Sequence, residues 1–80
     1  MTLDEIEPGK HASIVEVDWS SLADDEGKRL RALGLDSGAD VMVVHRGVFG
    51  GRDPLAIVVG RMTIAVRRVH ARAMHVTMSG

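Results

Sequence analysis

The chain has 80 residues, of which 45% are apolar, enough to close one small core and too few for two domains. Ten Lys and Arg against eleven Asp and Glu leave a formal net charge of −1, so the total charge calls for neither a nucleic acid nor an anionic membrane. The absence of cysteine excludes a disulfide scaffold, a thiol nucleophile and a thiolate-bound metal cluster, and fits a reducing, cytoplasmic setting.

Met1-Thr2-Leu3-Asp4-Glu5 lacks the basic-then-apolar order of a signal peptide. Thr2 to Glu5 instead has the order of a capping box, and Pro8-Gly9 then interrupts, so one helical turn is expected at residues 3–6. From Lys10 to Val17, Ala12, Ile14, Val15 and Val17 give a β-branched, partly alternating first strand. A helix is expected to start between Ser21 and Asp24, with Gly27 weakening it, and to run to Leu33. Leu30 and Leu33 share one face there, and the acids at the start and bases at the end suit the helix dipole. Gly34 supplies the left-handed residue that closes such a helix, and Leu35 is placed to fold back on the last turn.

Three runs of strand length follow: Ala39 to His45, Leu55 to Val59 and Met62 to Val66. A nine-residue connection with three glycines joins the first two, and Gly60-Arg61 turns the next pair. Arg67 to Arg72 can form one helical turn, and Ala73 to Met78 is a last strand. The longest apolar run, Leu55 to Val59, is five residues, where a membrane span needs about twenty. The spacings are too short for parallel crossovers. About five antiparallel strands, curled into a small barrel that hides its edges, are therefore expected over residues 1–80 as one domain.

The run Arg29-Leu30-Arg31-Ala32-Leu33-Gly34-Leu35-Asp36-Ser37-Gly38-Ala39-Asp40-Val41 resembles the signature of the FeoA family, ferrous iron transport protein A, roughly R-L-x-x-L-G-L-x-x-G-x-x-V. Gly51-Arg52-Asp53-Pro54, Thr63 to Arg67 and Ala71 to Val76 agree with it, so the similarity spans nearly the whole chain. The acidic stretch Asp18 to Lys28 is longer than usual, and Val66 stands where Leu is common. The resemblance implies an SH3-like β-barrel with a helix inserted near its start. It also implies a small bacterial, cytoplasmic accessory that binds the FeoB-type ferrous iron permease, whose soluble part is a GTP-binding domain. The same domain type occurs in iron-responsive regulators, so the fold leaves the partner open. On physical grounds Leu30, Leu33 and Leu35 plug the barrel mouth, Gly34 and Gly38 take backbone angles that a Cβ opposes, and Val41 begins a buried strand.

Nothing in the sequence suggests an enzyme. A small barrel filled by its own side chains leaves little room for an acid–base pair, and Gly47-x-x-Gly50-Gly51 lacks the Lys-Ser/Thr of a phosphate-binding loop. No cofactor is required. Of the four histidines, His11, His45, His70 and His75, none has the helical spacing that preassembles a metal site. His70 and His75 are left as weak candidates for a divalent cation. Met42, Met62, Met74 and Met78 fit core filling better than soft-metal ligation.

With only Trp19 and Phe49 and no Tyr, the chain lacks the aromatic floor of a proline-peptide groove or a base-stacking platform. No nucleic acid partner is expected, although residues 41–80 hold six bases and one acid, against four bases and ten acids in residues 1–40. The two halves either interleave or form a bipolar surface. Val48 and Phe49, with Arg52 and Arg61, are the expected docking surface for the permease, on the grounds that aromatic and Arg side chains supply interface hot spots. Trp19 either joins such a surface or folds down over the barrel end.

Overall fold

The computed structural model describes residues 1–46 and 53–78, so Val48, Phe49 and Arg52 of the expected docking surface lie outside the described residues. Its elements are a 3₁₀ turn at Leu3–Glu5, β1 (His11–Val17), a second 3₁₀ turn at Trp19–Ser21, α1 (Asp24–Ala32), β2 (Asp40–Arg46), β3 (Leu55–Val59), β4 (Met62–Val66), α2 (Arg68–Ala71) and β5 (Met74–Met78). All strand pairs are antiparallel, in one sheet of order β4-β3-β2-β1-β5. The five antiparallel strands, the helix inserted after the first and the short N-terminal turn are the architecture expected from the sequence. The 3₁₀ turn at Trp19 is an addition, placed where the chain bends from β1 towards α1.

Among the described residues β4 and β5 stand at the two ends of the strand order. The outer side of β5 is covered by the chain's own start. Thr2 bridges to His75, and the Val76 N–H donates to the Met1 carbonyl at 2.8 Å. Among the described residues no segment does the same for β4.

Two irregularities bend the sheet. The register shifts between Ile14 and Glu16 where β1 meets β5, and between Val43 and His45 where β2 meets β3. Each inserts one extra residue, Val15 and Val44, and each of those valines is exposed. The bulge in β1 explains its partial alternation: Ala12, Ile14 and Val17 all point inward because the count slips by one between the last two.

The core gathers Leu3, Ile6, Ile14, Leu30, Leu35, Val43, Leu55, Ile57, Val66 and Met74, drawn from every layer of the chain, and all the buried residues described are apolar. Leu30 and Leu35 are fully buried, as expected, and Val41 begins the buried part of β2, whereas Leu33 is only half-buried. Gly34 and Gly38 have φ of 100° and 90°, the left-handed region that a Cβ disfavours. Of the four methionines read as core filling, Met74 is fully buried, while Met62 and Met78 are about half exposed. Both lie on the outer strands, where the sheet ends before it can cover them.

Candidate functional site

Among the described residues every buried side chain is apolar, and three surface features carry polar or aromatic groups.

The first is the end of α1. Trp19 folds down rather than standing free, and packs against the core with its ring over Gly27. A Cβ at position 27 would sit 3.5 Å from ring atom Cε3. The Arg31 guanidinium lies over the same ring, 4.3 Å from its centroid, in cation–π geometry. Ala23, Asp24 and Lys28 complete an open depression of about 190 Å³ with these residues. Sequence reading treated Gly27 as a helix-weakening residue. The Trp19 ring lies against it at a distance that a Cβ would also allow.

The second is the junction of α1, α2 and the N-terminal turn. Asp4 Oδ2 lies 3.7 Å from Arg72 Nε and 4.0 Å from Arg68 Nε. Glu26 Oε1 is 2.6 Å from Arg29 Nη2 and 4.0 Å from His70 Nδ1. Neither Arg68 Nε nor His70 Nδ1 has a hydrogen-bond partner among the described residues. Acids of the first half thus meet bases of the second, so the opposite charges of the two halves are interleaved here rather than segregated. Beside this junction Asp53 Oδ1 accepts the Arg68 main-chain N–H at 2.9 Å, and its other oxygen is 3.9 Å from Arg67.

The third is the β3–β4 hairpin. Arg61 is exposed in its turn and makes no ion pair among the described residues. It is the one member of the expected docking set whose surroundings are described.

The candidate metal ligands have different settings. His70 is half-buried on α2 facing Glu26, whereas His75 is exposed on β5, opposite Glu16 of β1. Among the described residues no three His, Asp or Glu side chains converge as a metal site requires. His11 is exposed on β1 opposite Met42. Glu5 is held below the usual carboxylate range, first by the Thr2 main-chain N–H, 2.8 Å from its Oε1, and then by the Thr2 hydroxyl.

The sequence matches the FeoA domain over residues 1–78. The chain belongs to the FeoA family. That family is associated with ferrous iron transport, and its solved members share this SH3-like fold. The zinc-complexed FeoA of Stenotrophomonas maltophilia is 34% identical, with a TM-score of 0.80 over 96% of this chain and 89% of that one. It is described as a procaryotic SH3 domain protein and a candidate ferrous iron transport activating factor. FeoA of Chlorobium tepidum is 28% identical, with a TM-score of 0.84 over 100% of this chain and 71% of that one. The iron(II) transport protein A of Clostridium thermocellum shares the fold at 22% identity and a TM-score of 0.82, over 98% of this chain. This chain spans only 45% of that chain's length. No curated relative matches the sequence. No helix among the described residues is long and apolar enough to cross a membrane.

Proposed function

We propose that this FeoA-family chain is a non-enzymatic accessory of ferrous iron uptake that works at the cytoplasmic face, binding the cytoplasmic part of a FeoB-type permease and modulating its assembly or activity. The match to the FeoA domain over residues 1–78 carries the reading. Among the described residues the buried side chains are all apolar, which supports the non-enzymatic part, since a catalytic pair needs a polar, concave site. The surface is then what remains for biological work, and docking uses Val48, Phe49 and Arg52 together with the exposed Arg61. No resident cofactor is needed.

Affinity purification of the tagged protein from native membranes, followed by mass spectrometry, tests this directly. Recovery of the permease supports it. Salt-sensitive retention of the folded protein on DNA or heparin, with no permease recovered, rejects it in favour of a nucleic-acid-binding barrel. Arg61→Glu and Phe49→Ala, each in a folded variant, are expected to reduce permease recovery and iron uptake.

A further inference from the structure

The two ends of the sheet are treated differently. The β5 edge is occupied by Met1 and Thr2, while β4 (Met62–Val66) has β3 on one side and no described segment on the other. Natural edge strands are usually blunted by charge, proline or a bulge. β4 has none of these: its five residues, Met-Thr-Ile-Ala-Val, are uncharged, and its pairing with β3 runs from Leu55↔Val66 to Val59↔Met62 without a register shift.

The hairpin fixes which main-chain groups face outward. Val59 to Met62 form the four-residue turn, so this closing pair is the hydrogen-bonded one. Alternation along an antiparallel ladder makes Ile57–Ile64 and Leu55–Val66 the next bonded pairs. The N–H and C=O groups of Thr63 and Ala65 are left pointing away from β3. Both residues are exposed, and so is Met62, at 45%.

Charge then selects the occupant. Arg61 and Arg67 flank the strand, about 20 Å apart at the rise of an extended chain. Asp53, 3.9 Å from Arg67, is the only acid in residues 41–80. If two copies paired their β4 edges antiparallel through Thr63 and Ala65, Ile64 would face Ile64, and Arg61 of one copy would lie opposite Arg67 of the other at both ends. Like charges directly opposite oppose that pairing. A strand with acids at these two positions and uncharged residues between them satisfies both arginines.

We infer that the β4 edge is a strand-addition site for an extended segment of a partner protein, an uncharged stretch bracketed by acidic residues. Main-chain bonds to Thr63 and Ala65 supply the affinity, and Arg61 and Arg67 set the register and select the segment. This names the kind of segment the accessory reading requires of its partner, and it can fail while permease recovery succeeds.

The test uses a synthetic peptide, Glu-Thr-Val-Thr-Val-Thr-Glu, against the same peptide with Lys at both ends, added to the isotope-labelled full chain at low salt. Saturable amide shifts and slowed hydrogen exchange at Thr63 and Ala65 are expected with the Glu-ended peptide. Its affinity should exceed that of the Lys-ended one on the order of fivefold, the scale of exposed charge pairs. Thr63→Pro removes one outward N–H without touching the ladder to β3 and is expected to abolish the shift at Ala65. Should that variant misfold, Arg61→Glu keeps the test alive, since it is expected to erase the preference for the Glu-ended peptide. No shift at millimolar peptide overturns the proposal. So does equal binding of the two peptides, or concentration-dependent protection of Thr63 and Ala65 in the protein alone, which would mean self-pairing.

Discussion

Leu35 donates its amide hydrogen to the carbonyl of Leu30 across the end of α1, at 3.0 Å, and both side chains are fully buried. Gly34 N–H to Arg31 O, also 3.0 Å, completes a Schellman closure, with the apolar contact that accompanies it. The most family-like stretch of the sequence is therefore the device that ends α1 and turns the chain into β2.

Gly34→Ala is expected to lower the unfolding free energy by about 1–2 kcal/mol, since φ of 100° opposes any Cβ. The added atom also meets Val59 Cγ2 at 3.4 Å. Leu30→Ala should cost more, about 2–5 kcal/mol, by leaving a cavity. Urea denaturation of the two variants checks both the order and the size.

Gly27 behaves oppositely. Its contact with Trp19, 3.5 Å from a Cβ to the ring, is ordinary van der Waals distance, so Ala fits. Gly27→Ala should stabilise the protein by about 0.5–1 kcal/mol through helix propensity, with Trp19 emission unchanged. A shift of that emission, or a lower melting temperature, would show that the ring has been displaced. Arg31→Ala should alter the emission, because the guanidinium lies against the ring.

Acid should remove the contribution of Glu5. Its carboxyl is held low in the fold, so the stabilisation is fully present above the unfolded value of 4.5 and is lost as pH falls through the lower folded value. The stability difference between wild type and Glu5→Gln should therefore shrink below about pH 4.5 and be flat above it. Denaturation midpoints across that range measure it.

Asp53 caps α2 from outside the helix, accepting the Arg68 N–H at 2.9 Å. Asp53→Ala should cost about 1 kcal/mol and speed hydrogen exchange at Arg68. Asp53→Asn keeps an acceptor and should retain most of the protection. Equal exchange in the two variants would mean that charge, through Arg67, is what holds this junction.

Calorimetric titration with zinc or ferrous iron is expected to show no micromolar binding. Binding at that level, lost in His70→Ala and His75→Ala, would restore the metal reading.

Much of the fold was legible because it rests on local chemistry. The N-terminal turn, the end of α1 at Gly34-Leu35 and the Gly60-Arg61 hairpin are each written in a few adjacent residues, and all three occur as expected. What was hidden depends on register between distant strands. Val15 and Val44 have the composition of core residues and are exposed by the bulges, and Met62 and Met78 are exposed because they lie on outer strands. The packing of Trp19 on Gly27 needed a bend that composition alone does not specify. The pairing of Asp4 with Arg68 and Arg72 joins residues more than sixty positions apart.

The bulges at Val15 and Val44 also set where the chain tolerates a change of length. Deleting either valine would remove the bulge and keep the following residues on the side they already face, Glu16 opposite His75 and Val17 inward opposite Met74 in the first case. A one-residue deletion is therefore predicted to be far less damaging at Val15 or Val44 than at Ser13, where no bulge absorbs the change and Ala12 and Ile14 could no longer both face inward.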